Sequence, residues 1–465
     1  MKTSKRRVLL ITVGVGTSLF ATSHNIFAAA NNPLTLETSM NMAEDYAFSA
    51  RIAEYSVESS QGKADEQLRS MLPNISLSGN YLKYDNHVNK AVGTTVGAEL
   101  GLPDTTASTA ALTLTQPLVG LIPLFLSLQA ASAQAEAALH SRNQTRADAR
   151  FLGANSFINA VKAIQLLNVA DSSVQVAQTQ LHDGVAQYNA GKLTNADVLK
   201  FKLNLENSKT NLIQAQTTAK ITFLTLAETT GIKDLSLITL PKENTSALEK
   251  KKLPLKNLGG YISEALSSRS DLLAAKSMLQ GAKYSKYATE SSYLPSVNFV
   301  SSYSRNFKTD AIDIPATQVS PAINYSKSDI QDMFYYGIQL NWNLLDWGVR
   351  QAQISEAVAN ESSANIQQEQ IESQIKIDVT NNFLRLKDAY QTLDSAKVSV
   401  EYAKDVFLQM EAQFNNGQAT TTDVLAASND QTSAMAKLAN AVGDLDIAWL
   451  SLQKSVGDRL TTLDK

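Results

Sequence analysis

The sequence predicts a mainly α-helical protein with a small β part, in which long antiparallel helical hairpins accompany four β-strands per chain. Three observations predict this fold: an internal duplication, two very long stretches without proline, and four segments of about ten residues with alternating apolar and polar side chains. With 44% hydrophobic and 18% charged residues among 465, the composition is that of a folded chain.

The N-terminus has the features of a secretory signal peptide, which we assign to residues 1–30. A positive region at residues 2–7 precedes an apolar core at 8–20, and Ala28-Ala29-Ala30 forms a small-residue cleavage site. This segment carries four positive and no acidic residues, so its removal changes the formal net charge from −3 to −7. A mildly acidic mature chain argues against nucleic acid as a partner.

The duplication is visible as short motifs that recur 226 positions later without a gap. The pairs are 114–118 with 340–344, 187–191 with 413–417, 197–199 with 423–425, and Gly231 with Gly457. Upstream, the Leu-Pro pairs at 72–73 and 294–295 lie 222 positions apart. We therefore expect a first repeat at 31–231, a linker at 232–257, a second repeat at 258–457 and a tail at 458–465.

Each repeat contains two segments with the period of a β-strand. We expect strands at about 74–84 and 107–117 in the first repeat, and at about 296–307 and 334–343 in the second. Their length and alternation are those of membrane β-strands, although a soluble amphipathic sheet has the same pattern. Four strands cannot close a barrel, and an open sheet edge cannot stand in lipid, so a membrane location requires several chains to share one barrel.

Two proline-free stretches, at about 124–187 and 349–414, predict very long helices. At about 1.5 Å per residue each would be roughly 95–100 Å long. Each is followed by a turn at Gly191 or Gly417 and a return helix of about 35 residues, which together predict a coiled-coil hairpin. The apolar face of each long helix is assigned to a spaced set of residues: Val174, Leu181, Val185 and Tyr188, and Val398, Tyr402, Val406, Met410 and Phe414.

Each return helix begins with a threonine followed three residues later by an aspartate. Thr194 with Asp197, and Thr420 with Asp423, have the spacing of an N-cap residue and an acidic residue at position N3. The capping role suits the positive end of the helix dipole.

These residues and their order resemble the TolC-like outer-membrane factors over essentially the whole mature chain. The resemblance rests on residues 34–37, on the Leu-Pro strand starts, on Trp342–Gly348, and above all on the two glycine turns, each followed six residues later by Asp-Val-Leu. One departure is the segment Val119–Pro123, where the family usually has an Asp-Gly-Gly-Arg type sequence. We therefore expect the first junction between strand and helix to differ from the second.

The resemblance implies a homotrimer with a twelve-stranded barrel in the outer membrane lipid and a helical tunnel in the periplasm of a Gram-negative cell. It implies an exit duct that works with a periplasmic adaptor protein and an inner-membrane transporter, in drug efflux or type I secretion. It also places Asp197 and Asp423 at the narrow periplasmic aperture, where crowded carboxylates would raise some pKa values. Gly191 and Gly417 become candidate adaptor contacts, although their backbone angle alone explains a glycine.

Nothing in the sequence indicates catalysis, and we expect neither an enzyme nor a cofactor or metal site. The mature chain has no cysteine, and His87, His140 and His182 lack the spacing of metal ligands. Two rival functions remain open: a periplasmic or surface structural coiled-coil protein, and a passive porin, which would not need the long helices.

Overall fold

The structure, a computed structural model, describes residues 34–84, 105–233, 240, 257–309, 312–314, 323–325 and 331–457. The predicted signal peptide, most of the predicted linker, the predicted tail and His87 lie outside the described residues.

The described elements follow the same order in both halves of the chain. The first half contains α1 (Leu36–Tyr46), α2 (Phe48–Arg69), β1 (Asn74–Tyr84), β2 (Thr105–Val119), α3 (Leu121–Asn189) and α4 (Asn195–Thr230). The second half contains α5 (Leu258–Ser268), α6 (Ser270–Glu290), β3 (Ser296–Thr309), β4 (Ile312–Ile314), β5 (Ile323–Tyr325), β6 (Gln331–Asn341), α7 (Val349–Asn415) and α8 (Thr421–Val456). A single 3₁₀ turn at Ser291–Tyr293 precedes β3.

Several boundaries differ from those predicted. β2 and β3 are longer than expected, β6 lies two to three residues earlier, and the short β4–β5 hairpin has no predicted counterpart. The helix before the strands is divided in both halves, at Ala47 and at Arg269. Each break lies against the left-handed glycine that ends a return helix, Gly231 beside Tyr46 and Gly457 beside Arg269, so the break provides room for that end.

The four main strands form one antiparallel sheet in the order β1-β2-β3-β6, in which the β2–β3 pair joins the two halves of the chain. Cross-strand partners lie on the same face of a sheet, so the register assigns each side chain to a face. One face carries large apolar side chains: Ile75, Leu77, Tyr81, Leu112, Leu114, Phe299, Tyr303, Phe334, Tyr336, Ile338 and Leu340. The opposite face carries mainly hydroxyl and amide groups, and there Thr113 Oγ1 lies 3.1 Å from Ser302 Oγ.

The long helices α3 and α7 extend from the sheet, and the shorter helices pack along them. At about 1.5 Å per residue, α3 with 69 residues and α7 with 67 are each about 100 Å long. α2 packs on the half of α3 nearer the sheet, α1 on its middle and α4 on its distant half, and α6, α5 and α8 have the corresponding relations to α7. Among the described helices, none has the length and apolarity needed to cross a membrane.

Small residues allow close contact between α3 and α6, where the two halves of the chain meet. Ala130 and Ala133 on α3 are buried, and a Cβ added at Gly281 on α6 would lie 3.3 Å from the carbonyl oxygen of Ala130. This packing accounts for the alanine-rich start of α3.

The predicted apolar faces of the long helices are only partly correct. Val174 and Phe414 are buried, and Leu181 and Met410 pack against buried clusters. The prediction is wrong for five residues that are exposed instead: Val185, Tyr188, Val398, Tyr402 and Val406. In the first hairpin the contact uses small groups on α3, Ala177 and Gly184, which give Leu205 and Phe201 of α4 room to pack closely.

We expect Gly184→Ala to destabilise the α3–α4 hairpin. A Cβ at this position would lie 2.6 Å from Cδ2 of Phe201, a ring that is only 1% exposed. Overpacking of this kind costs roughly 1–3 kcal/mol, which a lowered unfolding temperature of the detergent-solubilised protein would reveal.

Gly62→Ala is the matched control, since no atom lies within 4 Å of a Cβ added at this position in α2. It should be neutral or stabilising by about 0.5–1 kcal/mol, because alanine favours a helix more than glycine does. Equal effects of the two variants would contradict the proposed contact.

Candidate functional site

The candidate site is the tip of the two helical hairpins, where the chain turns from α3 into α4 and from α7 into α8. Both turns contain a glycine in the left-handed conformation, Gly191 at φ 74° and Gly417 at φ 73°. The amide of Lys192 donates to the Gln187 carbonyl at 2.9 Å, and that of Gln418 donates to the Gln413 carbonyl at 2.8 Å. These bonds satisfy carbonyl groups at the helix ends, which confirms the predicted glycine caps.

The return helices α4 and α8 each begin with a capping box, as predicted. In α8 the Thr420 amide and hydroxyl donate to Asp423 Oδ2 at 2.9 and 2.7 Å, and the Asp423 amide donates to Thr420 Oγ1 at 3.3 Å. In α4 the Thr194 amide and hydroxyl donate to Asp197 Oδ2 at 3.2 and 2.6 Å. The capping role of both aspartates is therefore confirmed, whereas their pore-lining role stays a prediction.

Capping also determines how the two carboxyl groups titrate within one chain. Hydrogen bonds from the Thr420 hydroxyl and amide hold the pKa of Asp423 below its usual value. The pKa of Asp197 is lowered in the same way, first by the Thr194 hydroxyl and further by Lys200. The crowding of several chains was expected to raise such values, so the two effects oppose each other in an assembly.

The two tips of one chain lie side by side. Lys200 of the first hairpin donates to Asp197 Oδ1 at 3.4 Å and to Thr422 Oγ1 of the second hairpin at 3.3 Å. Gln187 Nε2 donates to Asn415 Oδ1 at 3.3 Å. Asp197 and Asp423 are therefore brought to the same end of the molecule.

An apolar cluster, which we call the tip cluster, holds the two hairpins together just behind the turns. Its buried members are Phe201, Phe407, Phe414, Val424 and Ala427. The rings of Phe201 and Phe414 meet edge to face with centroids 5.9 Å apart. Sequence reasoning missed this contact between hairpins, because helical periodicity assigns a residue to a face but does not say which helix covers that face.

The remaining candidate groups form no site in the part of the chain that the structure describes. His140 Nε2 lies 4.0 Å from Glu136 on the same helix, and His182 lies exposed beside Asp183. Among the described residues, no group of three or more His, Asp or Glu side chains is arranged to hold a metal ion.

We expect Thr420→Ala to weaken the second tip by about 1 kcal/mol, the usual cost of losing an N-cap hydroxyl. The lowered folded-state pKa of Asp423 means that its contribution is present above the ordinary Asp value of about 3.9 and is lost as the pH falls through the folded-state value. In Thr420→Ala this acid-dependent part of the stability should shrink.

Thermal unfolding between pH 3 and pH 7, a range that spans the ordinary Asp pKa, measures both effects. Thr422→Ala is the control, because this exposed hydroxyl accepts from Lys200 but does not cap α8. An unchanged pH dependence in Thr420→Ala would contradict the capping argument.

Curated relatives align with most of the chain. It is 24% identical over 312 residues to the outer membrane efflux protein BepC of Brucella suis, a match that covers 65% of this chain and spans 61% of that protein. It is 22% identical over 396 residues to the outer membrane protein TolC of Escherichia coli, which covers 85% of this chain and 76% of that protein. The predicted resemblance and the outer-membrane location are confirmed.

Solved structures have the same fold. The CmeC outer membrane channel of Campylobacter jejuni superimposes with a TM-score of 0.75 at 13% identity, covering 92% of this chain and 87% of that chain. The predicted fold class, long helical hairpins with four strands per chain, is thereby confirmed. The sequence model of the outer membrane efflux protein family matches residues 41–232 and 261–458. The chain belongs to the outer membrane efflux protein family.

Proposed function

We propose that the protein is the exit duct of a tripartite efflux or type I secretion system, and that it passes drugs or proteins rather than transforming them. In this proposal three copies form a homotrimer that spans the outer membrane and extends into the periplasm. A periplasmic adaptor protein and an inner-membrane transporter are its partners. The observation that carries the proposal is a sheet with one apolar face and, among the described strands, two unpaired edges, attached to helices about 100 Å long.

The free edges support self-assembly. Within the four-stranded sheet β1 pairs only with β2, and β6 pairs only with β3. Unpaired backbone groups in lipid cost several kcal/mol each, so edge strands must find partners in further copies of the chain. Three copies supply twelve strands, enough for a closed barrel with a lumen.

The exposed apolar stripes on the long hairpins support the same assembly. On α4 they include Leu199, Leu203, Ile213, Ile221 and Leu224, and on α7 they include Val398, Tyr402 and Val406. Tyr402 is 65% exposed in the single chain. Apolar stripes of this length on a helix are covered when helices of neighbouring subunits pack together.

At the tip, we place Asp197 and Asp423 around the periplasmic aperture and regard Gly191 and Gly417 as contacts for the adaptor protein. Three copies of each carboxylate at a constriction favour cations over anions. No atom lies within 4 Å of a Cβ added at either glycine, so both turns are accessible to a partner.

The rival proposal is a structural coiled-coil protein of the periplasm or cell surface. A solvated coiled coil does not need a sheet face with eleven large apolar side chains, many of them exposed in the single chain. That face is our reason to prefer a membrane duct over a structural protein.

We expect Asp423→Asn to change conductance or weaken block by small cations in planar bilayers, because three negative charges leave the aperture. The trimer should remain folded, since the Thr420 hydroxyl still accepts from the amide of residue 423. Asp183→Asn, a change of the same charge on the exposed side of α3, is the control. Currents identical to those of the unmodified channel would refute the aperture role.

We expect deletion of the protein to raise drug susceptibility, to remove specific proteins from the culture medium, or to do both, and the two measurements together distinguish efflux from secretion. The protein itself should be a heat-modifiable, detergent-stable trimer in the outer membrane. Release of the protein in soluble form by osmotic shock would instead support the structural alternative.

A further inference from the structure

The loop Asn343–Gly348, which joins β6 to α7, is held rigid by one ion pair. Arg350 Nε donates to Asp346 Oδ2 at 2.5 Å, and Arg350 Nη2 donates to the Asn343 carbonyl at 2.7 Å. Asp346 also accepts from the backbone amides of Gly348 at 3.1 Å and Arg350 at 3.3 Å. The charge of Asp346 is thereby compensated by Arg350 of α7, and these hydrogen bonds fasten the loop to the start of that helix.

This rigid loop presents its large apolar side chains to the outside. Leu344 is 73% exposed, Leu345 is 66% exposed and Trp347 is 89% exposed. Trp347 is also the one described non-glycine residue with a positive φ, at 57°. A residue with a side chain has a higher conformational free energy in this region of φ. The backbone at Trp347 is therefore strained, and its indole points away from the protein.

The loop continues the apolar face of the sheet. On β6 that face includes Tyr336, Ile338 and Leu340, and Trp342 is the next residue of the same alternation. The loop lies at the end of the sheet to which the long helices are attached. In the proposed duct this end is the periplasmic boundary of the membrane part.

The two repeats differ here in an informative way. Trp342 Nε1 donates to the Tyr293 carbonyl at 3.2 Å, and in the first repeat Gln116 Nε2 donates to the Met71 carbonyl at 3.0 Å. Gln116 and Trp342 occupy equivalent positions of the two repeats, so a glutamine can make this hydrogen bond and an indole is not required. In the first repeat Leu121 stands 226 positions before Trp347 and already belongs to α3. Both tryptophans add apolar and aromatic surface that the junction itself does not require.

We propose that the loop Asn343–Gly348 is a membrane anchor, in which Trp347, Leu344 and Leu345 insert into the boundary between headgroups and acyl chains in the periplasmic leaflet of the outer membrane. The proposal rests on the membrane-inserted sheet of the proposed function. Tryptophan prefers this boundary because its ring is apolar and its N–H group can still reach water or a headgroup. Three copies in a trimer fix the depth at which the helical part leaves the membrane.

The chain has three tryptophans, Trp342, Trp347 and Trp449, which allows a direct test by fluorescence. The double variant Trp342→Gln, Trp449→Phe leaves Trp347 alone and restores at position 342 the glutamine used in the first repeat. The full-length trimer is reconstituted into phosphatidylethanolamine–phosphatidylglycerol vesicles whose acyl chains carry bromine close to the headgroup. We expect brominated lipid to quench Trp347 strongly, and acrylamide in the water to quench it weakly.

Trp449 on α8 is the internal control, because it packs against two buried clusters in the helical part of the chain. With Trp342→Gln and Trp347→Phe, its emission should not respond to brominated lipid. Quenching of Trp347 by acrylamide but not by bromine overturns the anchor. A third variant that retains only Trp342 separates the anchor from the duct. If bromine quenches Trp342 but not Trp347, the anchor is refuted and the duct is not. If bromine quenches neither tryptophan, the sheet lies outside the bilayer and the proposed duct is refuted as well.

A fourth variant separates lipid from a protein neighbour. Trp347→Gly removes the strain at φ 57°, so the trimer in detergent should resist heat as well as the unmodified protein or better. A clear loss of trimer stability in detergent would mean that the indole packs on a neighbouring subunit, which would overturn the lipid assignment.

Discussion

Backbone hydrogen bonding at the edges of one small sheet is the constraint on which the rest of this molecule depends. The four strands satisfy one another in the order β1-β2-β3-β6, but the outer edges of β1 and β6 have no partner within the sheet. Lipid offers no hydrogen bonds, so the sheet is stable in a membrane only when further copies extend it. The unpaired amide and carbonyl groups of these two edges are therefore our physical reason to propose an oligomeric channel.

The two repeats contact each other both in the sheet and in the helical part. β2 pairs with β3, and directly below them α3 packs on α6 and, further along, on α8. Lys162 on α3 donates to Asp444 on α8 at 2.6 Å, and Lys454 on α8 lies 2.8 Å from Asp148 on α3. The two pairs have opposite polarity along antiparallel helices, and a shifted register would separate both of them. At the far end the tip cluster joins the hairpins a second time, so the two hairpins of one chain are held together at both ends.

The groups to which we assign functions lie where helices and strands end. The tip combines a glycine cap, a capping box and an acidic group within seven residues of each turn, so the groups that bind the helix end also carry the charge proposed for the aperture. At the opposite end of the long helices, only the second repeat has the Asp346–Arg350 pair and the exposed Trp347, while the first repeat enters α3 directly after Gly120. The two repeats therefore have the same order of elements, but their junctions between strand and long helix differ in charge and in exposed apolar surface.

The sequence by itself determined what depends on neighbours along the chain. The duplicated motifs predicted the element order, the alternation of strand residues predicted the two faces of the sheet, and the Thr-x-x-Asp spacing predicted both capping boxes, because each of these is a short-range relation. Only the tertiary structure decided which helix faces meet. Val398, Tyr402 and Val406 on α7 have helical spacing and were assigned to the hairpin contact, yet they lie exposed, while Leu393, Ala396 and Phe407 of the same helix are buried. Periodicity specifies a stripe of side chains, but which stripe is buried within one chain depends on which helices pack against it.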